Sequence, residues 1–305
     1  MKLNRILAAV DCSESARFAF DRALALSRAH DAELTVVHAV ATDRPFGWYS
    51  GERVGLLAAL RRGAEAAGVR FKLRVQQGDP AGVILLHARA RRADLIVLGT
   101  SERTRFDRLR LGSVAETVAR EAKQPVLVVP ATSGKAAKTA MPYNNVVVAV
   151  DFSEGSKAAV ESALSIADGH NRVTLVHVVR GAPPESASRY MYNLMEPEYQ
   201  RQLARDAWRR IPEMIPADAK TTRKVHARVV AGDPSTEIAR VAAEVDADLI
   251  LVGVTARGAF GQIFGSSTAA RVIRTAGRAV LAIPELRRNN PVTGESQGDP
   301  AAAAA

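Results

Sequence analysis

The stretch Arg5–Asp11 reads RILAAVD, and a similar stretch, NVVVAVD, covers Asn145–Asp151. Both are short apolar runs that end in aspartate, without the alternation of polar and apolar residues seen in a half-exposed strand. Such runs are typical of strands buried on both faces, as in a parallel sheet. We therefore expect each stretch to be the first strand of an α/β domain, and the chain to contain that domain twice.

The repeat continues through both halves. The further matching pairs are LTVVHAV ending at Val40 with VTLVHVV ending at Val179, Gly78-Asp79-Pro80 with Gly232-Asp233-Pro234, ADLIVLG ending at Gly99 with ADLILVG ending at Gly253, and PVLVVP ending at Pro130 with AVLAIP ending at Pro284. Asp151 lies 140 positions after Asp11, whereas 154 positions separate Gly78 from Gly232. The second copy therefore carries about 14 extra residues between its second and third strands, which we place around 181–193.

Helical signals lie between the strands. Residues 15–29 place apolar side chains at the spacing of one helix face, and 80–92 begins with a proline after an aspartate suited to N-capping. This alternation predicts two tandem doubly wound, Rossmann-like domains, each with a five-stranded parallel sheet. We expect the domains to form a pseudo-symmetric pair whose fifth strands, 126–129 and 280–283, lie near the contact.

Composition sets the domain boundaries and the compartment. We expect domains at 1–130 and 145–284, a linker at 131–144 that is rich in small residues, and a disordered tail at 285–305 that ends in five alanines. The single cysteine, Cys12, cannot form an internal disulfide, which favours the reducing cytoplasm. No apolar stretch approaches the ~20 residues needed to span a bilayer, so we expect no membrane partner.

The net charge of +10 has two interpretations. It favours anionic partners such as nucleotides or nucleic acids. Alternatively it reflects an arginine-rich, solvated surface, since the arginines are spread along the chain rather than grouped in one tail.

Ligands of open parallel sheets bind beyond the carboxyl ends of the strands, where the strand order reverses. The candidate residues at these ends are Asp11 and Asp151 after strand 1, Ala39 and Val178 after strand 2, and Gly99 and Gly253 after strand 4. In the first half, Gly99 begins an arginine-rich loop that leads to Gly112, Ser113 and Val114 at the start of a helix. Glycine permits close approach of backbone to a phosphate, and the N–H groups of a helix N-terminus attract the anion.

On these residues the chain resembles a tandem universal stress protein, over 2–130 and 145–284. The ATP-binding members of that family carry glycine, two residues, glycine, nine residues, glycine and serine or threonine after strand 4. This sequence has Gly99, Glu102, Gly112 and Ser113 at that spacing, so glutamate replaces the second glycine. The resemblance implies a fold like the adenine-nucleotide alpha hydrolases, with nucleoside contacts from Asp11 and Ala39.

The second half departs from the pattern in another way. A gapless register gives Gly253, Ala256, Ser266 and Ser267, whereas a one-residue gap restores glycine-serine as Gly265-Ser266. The constant offset on both flanks favours the gapless register. Glu102 brings negative charge toward a polyphosphate, so the choice of the binding half stays open, with a preference for the first half because it keeps Gly112-Ser113.

The resemblance implies a cytoplasmic stress-response protein that binds ATP or a related adenine nucleotide, with or without Mg²⁺, in one or both halves, and hydrolyses it slowly at most. The main alternative is an interaction module of the same fold that binds no nucleotide and works by dimerisation. Nucleic-acid binding lacks a reading motif and stacking aromatics, which are 5% of residues. The catalytic set of a synthetase or flavoprotein-like enzyme is also not recognisable.

Two further groups of residues invite a functional interpretation. His38 and His177 occupy matching strand ends, and we expect them to be packed and bonded to backbone rather than to bind metal, because no ligand cluster accompanies them. Aromatic and methionine side chains follow the second strands, where packing is favoured over stacking on adenine: Phe46, Trp48, Tyr49, Tyr190, Met191 and Tyr192.

Overall fold

The computed structural model describes residues 2–11, 13–40, 51–100, 112–130, 143–166, 172–179, 189–217, 219, 224–254 and 268–285. The first half contains β1 (Arg5–Ala9), α1 (Glu14–Ala29), β2 (Glu33–Val40), α2 (Gly51–Ala66), β3 (Phe71–Gln77), α3 (Pro80–Ala90), β4 (Leu95–Gly99), α4 (Ser113–Glu121) and β5 (Val126–Val129). The second contains β6 (Asn145–Ala149), α5 (Glu154–Ile166), β7 (Arg172–Val179), α6 (Arg189–Arg210), a 3₁₀ helix (Ile211–Met214), β8 (Val225–Ala231), α7 (Pro234–Glu244), β9 (Leu249–Val254), α8 (Thr268–Thr275) and β10 (Ala279–Pro284).

The ten strands form one sheet in the order β3-β2-β1-β4-β5-β10-β9-β6-β7-β8. All neighbours within a half are parallel, and β5 pairs with β10 in the antiparallel direction. The predicted fold class is therefore confirmed, with five parallel strands in each half. The strand order reverses between β1 and β4 in the first half and between β6 and β9 in the second.

The contact between the halves is pseudo-symmetric. Leu127 pairs in register with Leu281, which is its own counterpart 154 positions later in the chain. The flanking pairs obey the same rule, because Val126 lies opposite Ala282 and Val128 opposite Val280. A pseudo-two-fold axis thus passes between the two leucines, and the fifth strands make the predicted contact.

A small apolar cavity of about 20 Å³ lies on this axis. Its lining comes in equivalent pairs from the two halves, together with His30: Leu3 and Tyr143, Leu26 and Ile166, Leu95 and Leu249, Leu127 and Leu281. Leu26 lies on α1 and Ile166 on α5, so the cavity lies between the sheet and these two helices. The cavity marks where two equivalent surfaces meet without filling the space between them.

Helices cover the sheet on both faces, which explains why the strands are uniformly apolar. One hydrophobic cluster joins the sheet to α1, α2, α5 and the 3₁₀ helix. A second cluster on the opposite face joins it to α3, α4, α7 and α8. The central side chains of β1, β4, β6 and β9 are almost fully buried, as expected for strands covered on both sides.

Several details differ from the expectations. Strands β2 and β7 extend through Val40 and Val179, so Ala39 and Val178 are penultimate strand residues rather than loop residues. Helix α3 ends at Ala90 and does not extend to Arg92, because Arg92 has a φ of 49°, which lies outside the right-handed helical region. Glu285, which we assigned to the tail, still donates its N–H to the carbonyl of Val254 at 2.9 Å. The tail beyond it lies outside the described residues.

The extra residues of the second half accompany a longer helix. Helix α6 has 22 residues where α2 has 16, and the 3₁₀ helix follows it. The expected insertion around 181–193 therefore overlaps the start of α6, and its first part lies outside the described residues. Tyr143, assigned to the linker, is buried to 4% exposure, whereas 131–142 also lie outside the described residues.

Candidate functional site

The candidate residues of each half gather at the carboxyl edge of its own strands. In the first half, Asp11 follows β1, Ala39 lies near the end of β2 and Gly99 ends β4, so Asp11 and Gly99 flank the reversal of strand order. In the second half, Asp151, Val178 and Gly253 occupy the equivalent places, except that Gly253 lies inside β9, one residue before its end at Val254. Because β5 and β10 are antiparallel, the strands of the two halves run in opposite directions, and their carboxyl ends lie at opposite ends of the strands in the sheet. The protein therefore has two separate candidate sites.

Each strand-end aspartate organises the first turn of the next helix. Asp11 Oδ1 accepts hydrogen bonds from the backbone N–H of Ser13 at 3.0 Å and from its hydroxyl at 2.5 Å. Asp151 Oδ1 accepts the same two bonds from Ser153, at 3.0 and 2.5 Å. Ser13 in turn caps α1 by accepting from the N–H of Ala16 at 3.2 Å. One oxygen of each aspartate thus fixes the helix start, and Oδ2 takes part in neither bond.

The charge state of the second-half aspartate follows from these contacts. Desolvation would raise the pKa of Asp151, but hydrogen bonds from Ser153 and Ser156 outweigh it and hold that pKa below its ordinary value. The carboxylate is therefore ionised at neutral pH.

The two strand-end histidines bond to backbone, as expected. His38 Nδ1 lies 2.7 Å from the carbonyl oxygen of Val10, and His177 Nδ1 lies 2.8 Å from that of Val150. A carbonyl only accepts, so Nδ1 carries the proton and donates in both cases. Each histidine thereby ties the end of the second strand to the end of the first, directly beside the candidate site.

Gly99 and Gly253 are required by helix packing. A Cβ at Gly99 would lie 2.6 Å from the carbonyl carbon and oxygen of Ser15, and one at Gly253 would lie 2.4 Å from the carbonyl carbon of Gly155. Real Cβ atoms do not approach backbone so closely, so these glycines let α1 and α5 lie directly against β4 and β9. This contact alone accounts for a glycine at both positions.

A further feature of the first half is the N-terminus of α4, the helix that follows β4 in the chain. Gly112 is the N-cap, with φ −63° and ψ 146°, and as a glycine it has no side chain to accept a hydrogen bond from the first turn. Ser113, the first residue of the helix, is exposed, and Val114 is half-buried. A φ of −63° is open to any residue, so Gly112 is not required for backbone conformation.

The carboxyl end of the second-half strands carries a contact between two rings and a guanidinium group. Phe152, which follows Asp151, has a φ of 64°, and its ring centroid lies 4.6 Å from that of His177. The guanidinium carbon of Arg210, at the end of α6, lies 4.0 Å from the Phe152 ring centroid. A cation over a ring face at this distance is a favourable contact. Phe152, the residue after Asp151, is therefore in contact with both His177 and Arg210.

The remaining candidates from the loops after the fourth strands lie outside the described residues: Glu102, the loop arginines, Ala256, Gly265, Ser266 and Ser267. The aromatic residues Phe46, Trp48 and Tyr49 also lie outside them. Within the described residues, no helix is long and apolar enough to span a bilayer. The same residues contain no group of three or more histidine, cysteine, aspartate or glutamate side chains placed to hold a metal ion.

Comparison with known proteins decides the family. The model of the universal stress protein family matches residues 2–130 and 142–284. The chain belongs to this family. Two matches to one domain model agree with the sequence repeat and with the two equivalent halves of the sheet.

Individual relatives resemble parts of this universal stress protein. A universal stress protein of Methanocaldococcus jannaschii is 44% identical over 73 residues, which is 24% of this chain and 43% of the relative. A putative universal stress protein of Staphylococcus aureus is 35% identical over 136 residues, which is 41% of this chain and 82% of the relative. This chain therefore spans less than half of the archaeal relative's length and most of the staphylococcal one.

A solved structure matches both halves together. The crystal structure of a universal stress protein from Archaeoglobus fulgidus aligns over 93% of this chain and 100% of its own, with a TM-score of 0.65 and 20% identity. At this identity the likeness concerns the fold.

Sequence reasoning missed two features of this universal stress protein. The first is the contact of Arg210 with Phe152 beside the second candidate site. No local sequence pattern connects these two residues, because Arg210 comes from the end of α6, which is longer than its counterpart α2. Arg274 of α8 lies 3.9 Å from Glu116 in the first turn of α4. That contact joins the two halves, and only the antiparallel pairing of β5 with β10 brings it about.

Proposed function

We propose that this universal stress protein binds an adenine nucleotide, ATP or a close relative, at the carboxyl edge of its first half. The observation that carries the proposal is the first turn of α4, whose N-cap Gly112 has no capping side chain and which lies at the carboxyl end of the strands, where Asp11 and Gly99 flank the reversal of strand order. Backbone N–H groups at a helix N-terminus attract phosphate by their dipoles and by direct hydrogen bonding.

The nucleoside would lie across the ends of β1 and β2. Asp11 uses Oδ1 for Ser13, which leaves Oδ2 to accept hydrogen bonds from ribose hydroxyl groups. Ala39 lies near the end of β2 and offers backbone groups to the base, next to the strand ends that His38 holds together. The residues present therefore fit a nucleoside and a phosphate chain at one edge.

Little chemistry is expected at this site. The described residues there include one carboxylate, Asp11, already bonded to Ser13, and one histidine, His38, whose Nδ1 donates to backbone. Neither arrangement is that of an activated nucleophile or general base. We propose that the nucleotide is held rather than turned over, with slow hydrolysis at most, in a cytoplasmic protein whose ligand reports a stress condition.

A second role is favoured for the other half. Beside Asp151, the Phe152 ring contacts Arg210 on one hand and His177 on the other, so these side chains are already engaged within the protein. We propose that this half serves as an interaction module, pairing with the first half in the way that two separate domains would pair as a homodimer. Nucleotide binding is then a property of the first half.

Isothermal titration calorimetry of the full chain with ATP and Mg²⁺ tests the proposal. We expect binding of micromolar strength or weaker, and Gly112→Val abolishes it because the new side chain covers the backbone N–H groups that approach phosphate. The fold is expected to survive, since the φ of Gly112 suits valine. Ser266→Val, at the equivalent position by the gapless register, is the matched control and should leave binding unchanged.

Glu102→Gly should tighten ATP binding several-fold, because it removes a negative charge near the phosphates. Absence of heat from the unaltered chain at high protein concentration would refute nucleotide binding. Loss of binding in Ser266→Val, with Gly112→Val unaffected, would move the site to the second half.

A further inference from the structure

Helices α4 and α8 lie on the same face of the sheet, and each precedes one of the two antiparallel central strands. A helix that precedes a parallel strand runs opposite to it, so α4 and α8 also run in opposite directions. The N-terminal turn of α4 consequently lies on the same side of the sheet as the C-terminal turn of α8. The C-terminal turn of α8 therefore lies at the same end of the strands as the N-terminal turn of α4, and the C-terminal turn of α4 lies at the same end as the N-terminal turn of α8.

One side chain makes this contact at the first-half site. Arg274 Nη1, in the last turn of α8, lies 3.9 Å from Glu116 Oε2 in the first turn of α4. Both side chains are only about a quarter exposed, at 26% and 25%, so solvent screens the pair less than it screens most surface pairs.

Glu116 has opposite effects on the helix and on a ligand. Helical side chains tilt toward the N-terminus, so the Glu116 carboxylate lies over the turn whose N–H groups would hold phosphate. Its charge suits the helix dipole but repels a polyphosphate. A cation beside it cancels that repulsion and leaves the N–H groups to act on the anion.

We propose that Arg274, contributed by the second half, is a specificity residue of the first-half site that selects phosphorylated nucleotides over nucleosides. The inference rests on the proposed function and adds to it that the site is complete only when both halves are present. Arg274 offsets the negative charge of Glu116 beside the turn where the phosphates are expected, whereas the nucleoside is expected at the ends of β1 and β2.

The second half supplies an internal control. The counterparts of Arg274 and Glu116, 154 positions away, are Arg120 and Ala270. Arg120 lies in the last turn of α4 and pairs with its neighbour Glu121 at 2.9 Å, and the first turn of α8 carries no acidic residue. Arg120 and Arg274 thus have the same charge and equivalent places in the two halves. Arg274 lies beside the carboxyl ends of the first-half strands, and Arg120 lies beside those of the second half.

The test is calorimetry of the full chain with ATP and, separately, with adenosine. Arg274→Gln should weaken ATP binding about five-fold and leave adenosine binding unchanged, since only the phosphates feel the lost charge. Arg274→Lys should restore most of the ATP affinity. Glu116→Gln should tighten ATP binding, and Arg274→Gln should cost less in that background, because it no longer exposes a repelling carboxylate.

Arg120→Gln is the matched control and should leave both affinities unchanged. Equal weakening of ATP and adenosine binding by Arg274→Gln, or equal effects of Arg120→Gln and Arg274→Gln on ATP, would overturn this inference while nucleotide binding stands. An unaltered chain that binds neither ligand would refute nucleotide binding, and this inference with it.

Discussion

The two halves have the same backbone framework and different surroundings. At the strand ends, the Asp11–Ser13 and Asp151–Ser153 bonds have equal lengths, and the two histidine–carbonyl distances differ by 0.1 Å. Outside this framework the halves differ. In the second half, Arg210 contacts Phe152 beside Asp151, whereas in the first half Glu116 of α4 meets Arg274 of the other half.

This difference separates what the fold requires from what the site uses. The repeated contacts hold β1, β2 and the next helix in place, so they are present whether or not a ligand binds. The contacts that differ lie around the two candidate sites, where they change the charge of each site without changing the sheet. The halves can therefore take different roles on one framework.

The largest expected effect comes from the helix–strand contacts that the halves share. Gly253→Ala should lower the free energy of unfolding by about 3 kcal/mol, because its Cβ would overlap the backbone of α5. Gly99→Ala should cost slightly less, since its closest distance is 2.6 Å rather than 2.4 Å. Urea unfolding followed by circular dichroism measures both.

The control for this pair is Gly63→Ala, in α2, where an added Cβ has no neighbour within 4 Å. It should stabilise the protein by about 0.5 kcal/mol through helix propensity. A Gly253→Ala protein as stable as Gly63→Ala would show that α5 can move away from β9, and the shared framework would then be looser than described.

The pseudo-axis itself gives the next effect. Leu127→Ala and Leu281→Ala should each cost about 3 kcal/mol, because both leucines are almost fully buried and each truncation enlarges the cavity on the axis. The two losses should be equal, and the double variant should depart from their sum because the residues are neighbours. Thermal unfolding of the three variants measures this, and clearly unequal single losses would contradict the symmetry of the contact.

Tyr143 and Leu3, its counterpart 140 positions earlier, break that symmetry within the cavity lining. The Tyr143 hydroxyl is buried without a hydrogen-bond partner among the described residues, and burial raises its pKa. Tyr143→Phe should stabilise the protein by about 1 kcal/mol by removing an unsatisfied polar group. The ring is kept, and so is its contact with Arg22, whose guanidinium carbon lies 5.0 Å from the ring centroid.

Leu3→Ala is the comparison for Tyr143→Phe, and it should destabilise, since Leu3 contributes only apolar contacts to the cavity lining. Chemical denaturation measures both variants. A destabilised Tyr143→Phe protein would mean that the hydroxyl has a partner, such as bound water.

The smallest expected effect concerns the cap of α7. Hydrogen bonds from the Ser235 side chain and the Thr236 backbone, with Arg271 nearby, hold the pKa of Asp233 well below its ordinary value of 3.8. A depressed pKa stabilises the fold above the ordinary pKa, and that stability is lost as the pH falls through and below about 4. Because Asp233 is largely solvated, screening reduces the contribution to about 0.5 kcal/mol.

Asp233→Asn keeps a capping side chain and removes the charge. Its free energy of unfolding, measured by urea between pH 6 and pH 2, should fall less steeply than that of the unaltered chain. Identical slopes would assign the acid sensitivity to other carboxylates.

The sequence by itself determined the two-domain α/β fold, because uniformly apolar strands that recur in the same order in both halves are typical of a parallel sheet covered on both faces. It also placed Asp11, Gly99 and Asp151 at or just after strand ends, because a strand that ends in a polar residue or a glycine is visible in the pattern. Gly253 instead lies one residue before the end of β9, which continues through Val254. The backbone bonding of His38 and His177 followed from the absence of neighbouring ligands.

Tertiary structure alone decided what crosses between the halves. The antiparallel pairing of Leu127 with Leu281 puts the two sites on opposite edges and brings Arg274 to Glu116, although 158 positions separate these residues in the chain. The stack of Arg210 on Phe152 likewise depends on where α6 ends in space. Local periodicity records which face of an element is apolar, but it carries no information about which distant charge that element meets.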